Sequence, residues 1–273
     1  MRIVIAGLFF ASAFLSACAA NAQLQVYITE CNSPDLAPER VIRNCTLALK
    51  TEELGPKGEA QTLYTRGNAF LVMGKTRLAL RDYDSANKRD SGIFQIWEAR
   101  GRALFRLGRV PESRTSFEEA LKLNPDDRQA RVGRGAALVA LGQPEAALED
   151  LDAALAEEPD DPTALFHRAM AFISMDNRPQ AVSALGEVIA LSPRFARAYY
   201  LRGQLREGDR PEAALADYNK AIELSPEEGR NYFARGMLLE RLGDPAQALV
   251  DFKRAYELGL RNEELNRRLV DGG

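Results

Sequence analysis

Small and bulky apolar residues recur along most of the chain with a period of 34 residues. The same pattern begins again at six places, and one of the intervals is 33 residues long. The units start at Ala60, Phe94, Arg128, Pro162, Ala196 and Gly229. A fixed period of this length predicts an array of similar supersecondary units that stack on one another, rather than a globular domain of unrelated elements.

Small residues mark two positions in every unit. The eighth place holds Gly67, Gly101, Gly135, Ala169, Gly203 and Gly236. A second small position follows at Ala79, Ser113, Ala147, Ala181, Ala214 and Ala248. Bulky residues lie four positions further on, at Tyr83, Phe117, Leu151, Leu185, Tyr218 and Phe252. Two helices can approach closely where side chains are this small, so each unit is predicted to be a helical hairpin.

Turn residues separate the predicted helices. Gly74, Gly108, Gly142 and Gly243 each interrupt an apolar pattern midway through a unit. Between units, Asn124-Pro125-Asp126-Asp127 and Asp160-Asp161-Pro162 end one helix and supply capping carboxylates for the next. The unit that starts at Ala196 is one residue short near Arg206 to Gly208, and we expect its turn to be tighter.

These residues resemble the tetratricopeptide repeat family. Its signature is matched by Trp97, Gly101, Leu104, Ser113, Phe117, Ala120 and Pro125. The resemblance covers residues 60–262 and implies an all-α fold, a right-handed superhelical solenoid of stacked antiparallel helix hairpins. The six units would be residues 60–93, 94–127, 128–161, 162–195, 196–228 and 229–262.

Both ends of the array carry extra segments. Residues 23–59 are predicted to form an N-terminal cap, with one helix from Pro38 to Lys50 that no first helix precedes. The break at Gly55-Pro56-Lys57-Gly58 separates this cap from the first unit. At the other end, residues 263–273 are predicted to hold a short closing helix and a tail.

The first residues have the pattern of an export signal. Arg2 precedes a short apolar run from Ile3 to Leu15, which is too short to span a bilayer. Two maturation routes remain open. Ala20-Asn21-Ala22 suits ordinary signal peptidase, which would remove residues 1–22, whereas Leu15-Ser16-Ala17-Cys18 resembles a bacterial lipobox, which would remove residues 1–17 and acylate Cys18. We expect an exported protein of the bacterial periplasm, either soluble or lipid-anchored.

Export also bears on the two remaining cysteines. Either maturation route leaves Cys31 and Cys45 as an even pair in an oxidising compartment, which predicts a disulfide.

Composition and motifs argue against catalysis, cofactors and nucleic acid. The net charge is −3, so no overall field attracts nucleic acid or an acidic membrane. The single histidine, His167, has no neighbouring cluster of metal ligands. Gly133-Arg134-Gly135 lacks the third glycine of a nucleotide-binding loop, and the acidic pairs at the turns are read as helix caps. No cofactor, no metal and no enzymatic activity are expected.

An arginine recurs at the seventh place of every unit: Arg66, Arg100, Arg134, Arg168, Arg202 and Arg235. An anion-binding ladder is one reading. The other is structural, because aspartates lie at the matching place of the second helix in four units, as Asp82, Asp150, Asp217 and Asp251. Arg100 and Arg168 lack that partner, which makes them the better candidates for external contacts.

In the resembling family the first helix of each unit lines the concave, peptide-binding side. The inward places predict a groove formed by Tyr64, Asn68, Arg102, Phe166, Met170, Arg197, Tyr200, Gln204, Arg230, Phe233 and Met237. Its aromatic and methionine side chains suit a partner protein or peptide with an apolar segment, and its polar side chains suit peptide backbone or acidic groups. Some of these residues could instead pack between neighbouring helices. A lysine of the family's carboxylate-binding set is replaced by Tyr64, which argues against capture of a terminal carboxylate.

Two functions are therefore expected from the sequence. The first is a non-catalytic adaptor of the bacterial cell envelope that holds a ligand in the concave groove. The second is a structural scaffold of the envelope whose copies self-associate. The sequence leaves the oligomeric state and the partner open, and a membrane contact is expected only through a lipid anchor on Cys18.

Overall fold

The computed structural model describes residues 22–51 and 53–271, and in those residues it contains fifteen helices and no strand. The chain forms two compact units, Met1–Ala137 and Leu138–Gly273. The helices are 22–31 (α1), Pro38–Leu49 (α2), Pro56–Val72 (α3), Thr76–Arg89 (α4), Phe94–Arg106 (α5), Val110–Leu123 (α6), Arg128–Ala140 (α7), Pro144–Glu157 (α8), Pro162–Ser174 (α9), Arg178–Leu191 (α10), Ala196–Arg206 (α11), Pro211–Leu224 (α12), Gly229–Arg241 (α13), Pro245–Glu257 (α14) and Glu263–Asp271 (α15).

Consecutive helices pack against each other within each unit. In the first unit, α2 packs on α3, α3 on α4, α4 on α5 and α5 on α6. In the second unit the same order runs from α8 to α15. The predicted all-α fold of stacked helical hairpins is confirmed.

The close contact between two helices that was predicted from the small residues is present in both compact units of the chain. A Cβ added to Gly67 would lie 2.5 Å from Cε1 of Tyr83, and one added to Gly236 would lie 2.7 Å from Cε1 of Phe252. These separations are shorter than van der Waals contact, so the aromatic ring occupies the space that a side chain would need. The bulky residue of the second helix therefore lies directly on the glycine of the first.

The hairpin turns explain the midway glycines. Gly74, Gly108, Gly142 and Gly243 have φ between 71° and 87°, a conformation that costs other residues strain. Asp176 takes the same role in the α9–α10 turn with a φ of 55°. The α11–α12 turn is different, because none of its residues has a positive φ. The expectation of a tighter turn is wrong: four residues, 207–210, separate α11 from α12, whereas three separate the two helices in the other repeat hairpins. The missing residue shortens α11 instead, which has 11 residues against 13 in α13.

Two expectations for the N-terminal segment are wrong. Residues 22–31 are helical, so α2 does have a preceding helix. Helix α3 begins at Pro56 and continues through Gly58, because proline fits a first helical turn, so the break ends before Pro56. The predicted disulfide is confirmed: Cys31 at the end of α1 is bonded to Cys45 in α2, and both are buried.

The C-terminal helix α15 packs on α14, as expected for a closing helix. Its Leu265 is fully buried, and Asn262 caps the helix by accepting a hydrogen bond of 2.7 Å from the backbone N–H of Leu265. The export signal and Cys18 lie outside the described residues. Across 22–51 and 53–271, we find no helix that has both the length and the apolar character needed to cross a bilayer.

Candidate functional site

In the first unit, the predicted groove residues largely interact with one another and with the core. Tyr64 packs on Tyr83 with ring centroids 6.1 Å apart, and the hydroxyl of Tyr83 donates a 2.7 Å hydrogen bond to Oδ1 of Asn68. Arg102 pairs with Glu98 at 2.6 Å. Burial raises the pKa of Glu98 to about 7, although Arg102 opposes the shift. This face of α3 and α5 therefore holds its polar groups in internal contacts.

Helix α9 contributes an aromatic residue that is mostly buried. Phe166 is only 7% exposed, because Phe195 packs against its ring at 4.9 Å and the guanidinium of Arg197 lies 5.4 Å from its centre. Met170 is partly buried against the same core. Beside them, burial lowers the pKa of His167 to about 4 and Arg197 adds to the effect, so this imidazole is neutral at pH 7. Phe166 thus packs between helices rather than presenting a free surface.

Helices α11 and α13 present the most open part of the predicted groove. Tyr200 and Phe233 lie on the inner aromatic residues of their own hairpins, Tyr218 at 6.0 Å and Phe252 at 5.9 Å between ring centroids. Both remain half-buried, as does Met237, whereas Gln204 is exposed. Because the aromatic rings have one packed and one open side, they can contribute apolar area to a bound segment while remaining fixed in position.

Two arginines flank these aromatic side chains. Arg197 and Arg230 are exposed at the starts of α11 and α13, and Arg230 pairs with Glu228 at 2.9 Å. A cavity of about 210 Å³ lies between them. Tyr200 and Leu201 form its apolar wall, and burial raises the pKa of the Tyr200 hydroxyl while Arg230 opposes that shift. The arrangement suits an apolar side chain next to an acidic group.

Sequence reasoning missed part of this cavity. Ser225 and Glu228 line it from the turn that precedes α13. The groove was predicted only from positions on the first helix of each repeat, so residues of the turns were not considered. The only sequence signal was the position of Glu228 one residue before the start of a unit.

The seventh-place arginines are mainly structural. Arg66, Arg202 and Arg235 each form two hydrogen bonds of 2.6–3.0 Å with the aspartate of their own hairpin. The aspartates, Asp82, Asp217 and Asp251, are buried. The pair expected for Arg134 and Asp150 stays a prediction. Bidentate pairing of a buried carboxylate fixes the orientation of two helices, which is a packing role.

Arg100 and Arg168 lack the aspartate of their own second helix, but the expectation that this leaves them for external contacts is wrong, because both pair with other acidic residues. Nε of Arg100 lies 2.7 Å from Oδ1 of Asp84 in α4, and its Nη1 donates a hydrogen bond of 2.6 Å to Ser116. Nε of Arg168 lies 2.8 Å from Oδ1 of Asp152 in α8, in an ion pair whose geometry does not complete a hydrogen bond. Each arginine therefore pairs with an aspartate of the preceding hairpin, because its own second helix has no aspartate at the matching place.

The described part of the chain holds no group of three or more side chains that could bind a metal ion. What the geometry does provide is a helical-repeat protein with an open, partly apolar and cationic face on α11 and α13.

Two sequence profiles of the tetratricopeptide repeat match the chain. One matches residues 64–128, 99–162 and 205–262, and the other matches residues 138–205. The chain belongs to the tetratricopeptide repeat family. The division into six repeats stays a prediction, since the matched segments overlap one another.

Several solved structures have the same fold as this chain. A tetratricopeptide repeat protein from Parabacteroides merdae is 21% identical, with a TM-score of 0.68 over 93% of this chain and 98% of that chain. PilW, a type IV pilus biogenesis factor, is 18% identical, with a TM-score of 0.69 over 77% of this chain and 98% of that chain. The APC/C assembly Cut9–Hcn1 gives 15% identity and a TM-score of 0.72 over 91% of this chain and 52% of that chain. No curated protein matches significantly. These likenesses establish the fold.

Proposed function

We propose that this protein is a non-catalytic adaptor of the bacterial cell envelope that holds a segment of a partner protein on the first-helix face of α11 and α13. Tetratricopeptide repeats are modules of protein–protein interaction, so membership of the family makes an adaptor or scaffold the class of function. The observation that carries the proposal is the open face formed by Arg197, Tyr200, Gln204, Arg230 and Phe233.

The chemistry of this face defines the kind of partner. Tyr200 and Phe233 offer the exposed sides of rigid aromatic rings, and Met237 adds an adaptable apolar side chain. Arg197 and Arg230 add guanidinium groups beside the cavity of about 210 Å³. A segment with an apolar side chain and a neighbouring carboxylate would match both features.

The envelope location is supported by the disulfide and the leader pattern. Cys31 and Cys45 are bonded, and structural disulfides belong mainly to proteins of oxidising compartments. Among the similar solved structures, PilW is a type IV pilus biogenesis factor, and this likeness of fold supports an envelope function.

The binding face is tested by photo-crosslinking in cells that express the full chain. A photoreactive amino acid at Gln204 should capture a discrete partner, whereas the same amino acid at Lys253, which is exposed on α14, should not. The double variant Arg197→Glu and Arg230→Glu should abolish the crosslink while the protein stays folded, because both side chains are exposed and only the contact of Arg197 with the Phe166 ring and the pair of Arg230 with Glu228 are lost. Its matched control is Arg254→Glu, an exposed arginine paired with Glu257 at 3.1 Å.

The outcomes separate the two functions. If the two positions crosslink alike, or if the charge reversals leave the crosslink at Gln204 intact, the face is not the binding site. If the captured protein is a second copy of the chain, and light scattering of the purified protein gives a dimer or larger assembly, the self-associating scaffold is the correct function.

Maturation is tested by determining the N terminus of the exported protein. An N terminus at Gln23 in soluble extract indicates signal-peptidase cleavage, whereas acylated Cys18 in the membrane fraction indicates a lipoprotein. Recovery of the unprocessed chain from the cytoplasm would contradict export and therefore the envelope part of the proposal.

A further inference from the structure

The hairpin α11–α12 carries an arginine at a place where the other hairpins carry an apolar residue. Arg206 lies three residues after Gly203, which contacts the ring of Tyr218 as Gly67, Gly101 and Gly236 contact the rings of their own hairpins. The equivalent residues are Phe70, Leu104, Leu138, Phe172 and Leu239. Four of them are at most 8% exposed. Packing therefore gives no reason for a cation at this place.

Arg206 is only partly used by the fold. Its Nη1 donates a 2.9 Å hydrogen bond to Oδ2 of Asp217, whose two oxygens also accept hydrogen bonds from Arg202. Nε of Arg206 is buried and has no hydrogen-bond partner among the described residues. A buried donor without a partner costs free energy unless a ligand or water satisfies it. Arg202 alone neutralises the charge of Asp217, so the fold does not need Arg206 for this purpose.

A cavity of about 310 Å³ opens beside this arginine, where the end of the shortened helix α11 and the turn after it face the start of α10. Arg178, Arg206 and Arg210 line it, together with one carboxylate, Asp209, and the apolar side chains of Val182 and Leu205. Asp209 lies 3.8 Å from Nη1 of Arg178 and is 73% exposed. Arg210 makes no ion pair with any described residue. With Asp217 and the Arg202 that shares it included, four guanidinium groups lie beside two carboxylates, Asp209 and Asp217, which leaves an excess of two positive charges.

The backbone adds to the positive potential. Helix α12 begins at Pro211, and its N-cap residue is Arg210, so no side-chain oxygen caps the first N–H groups of this helix. Its first turn carries one acidic residue, Glu212, which is exposed and does not line the cavity. Uncapped amides at a helix N-terminus and the helix dipole both favour an anion. The arginines and the helix start lie at the same turn.

We propose that this cavity is a phosphate-binding site. A phosphate dianion matches the charge excess, and its oxygens can accept from several guanidinium groups at once, for which arginine is better suited than lysine. The phosphate group belongs either to a small soluble molecule or to a lipid headgroup. The site lies on residues 178–182 at the start of α10 and on residues 205–210 at the end of α11 and in the turn after it, and it uses none of the residues of the proposed partner-binding face.

The proposal is tested by titrating the purified full chain with inorganic phosphate at constant ionic strength and measuring heat by calorimetry. We expect saturable binding in the millimolar range or tighter. Arg206→Leu introduces the residue type of the equivalent places and leaves Asp217 paired with Arg202. This variant should fold normally and bind phosphate about tenfold more weakly or worse, the loss expected for charge-assisted hydrogen bonds. Arg254→Gln on α14 is the matched control and should bind as the unaltered chain does.

A second variant tests the site without Arg206→Leu, which replaces a mostly buried side chain. Arg178→Gln combined with Arg210→Gln changes exposed side chains only and should weaken phosphate binding by a similar factor. Loss of binding in this variant but not in Arg254→Gln supports the site even if Arg206→Leu is poorly folded. Unchanged affinity in either folded site variant, or equal weakening in the control, overturns the proposal.

The source of the phosphate is decided by flotation with vesicles. Binding to phosphatidylcholine vesicles that contain phosphatidic acid, lost in the double variant and competed by free phosphate, assigns the site to a lipid headgroup. Phosphate binding without vesicle binding assigns it to a soluble molecule. Binding of neither probe would show that the arginine cluster is solvated only, and the proposal would be wrong.

Discussion

The hairpins α11–α12 and α13–α14 are built on one template and differ at a single turn. Gly203 and Gly236 contact Tyr218 and Phe252 in the same way. Arg202 and Arg235 each form a bidentate pair with the buried aspartate of their own second helix. The template therefore consists of a glycine–aromatic contact and an arginine–aspartate pair.

The difference begins with the missing residue. In α13–α14 the turn uses Gly243 at a φ of 87°, and the place in α13 three residues after Gly236 holds the buried Leu239. In α11–α12 no residue of the turn has a positive φ, and Arg206 replaces the leucine. Stability of the repeat and a local charge cluster are thus specified by separate residues, so variants can probe them separately.

The largest effect is expected from removing the buried aspartates. Asp217→Ala strands two arginines, Arg202 and Arg206, in a partly buried position, and should lower the free energy of unfolding by about 3–5 kcal/mol. Asp251→Ala should cost less, because Arg235 retains a 2.7 Å hydrogen bond to Asn219. Urea denaturation of both variants measures the difference, with the exposed Asp209→Ala as the control. Equal losses would show that Arg206 does not share the carboxylate.

The next effect comes from filling the glycine–aromatic contact. In Gly236→Ala the new Cβ would lie 2.7 Å from the ring of Phe252 and 3.2 Å from the backbone oxygen of Ala248, so we expect a loss of about 1–3 kcal/mol. Gly203→Ala should behave similarly. Gly186→Ala in α10 is the control, since its nearest neighbour is 3.9 Å away, and it should be neutral or stabilising by up to about 1 kcal/mol. A destabilised Gly186→Ala protein would contradict the packing argument.

The two turns should respond differently to alanine. Gly243→Ala places a Cβ at a positive φ and should destabilise the protein by about 1–2 kcal/mol. Gly208→Ala should change stability by less than about 0.5 kcal/mol, because its φ is not positive and the nearest atom is the flexible end of Arg178 at 3.4 Å. Thermal unfolding of the pair checks this. A larger loss at Gly208 would mean that the α11–α12 turn is strained in solution.

The smallest effect is expected from the hydroxyl group by which Tyr218 of α12 differs from Phe252, its counterpart in α14. Tyr218→Phe removes the hydroxyl that donates to Glu207 and makes the hairpin resemble α13–α14 at this place. Glu207 keeps its 2.6 Å ion pair with Arg241, so the cost should be about 1 kcal/mol. Tyr199→Phe, whose exposed hydroxyl makes a 3.3 Å contact, is the control and should be neutral by urea denaturation. A neutral Tyr218→Phe would show that the hydrogen bond to Glu207 adds nothing to stability.

The 34-residue period was sufficient to predict the helical hairpins, their glycine–aromatic contacts and the turn glycines. Each of these depends on local geometry: a residue without a side chain at a helix contact, or a backbone conformation that only glycine adopts easily. The disulfide followed from counting the cysteines of a chain that was predicted to be exported. The helix over 22–31 was missed because it lies beside the apolar leader, whose pattern hides a separate helical signal.

Tertiary structure alone decided which polar and aromatic side chains remain open. The sequence places Phe166, Tyr200 and Phe233 at equivalent positions, yet Phe166 is buried because the ring of Phe195 happens to cover it. The same holds for Arg100, which pairs with Asp84 across two helices. A repeat fixes the position of a side chain within its own hairpin, whereas its exposure depends on non-periodic residues of neighbouring helices and turns. The cavity beside Arg206 arises in the same way, from the shortened helix α11, the turn after it and Arg178 of another helix.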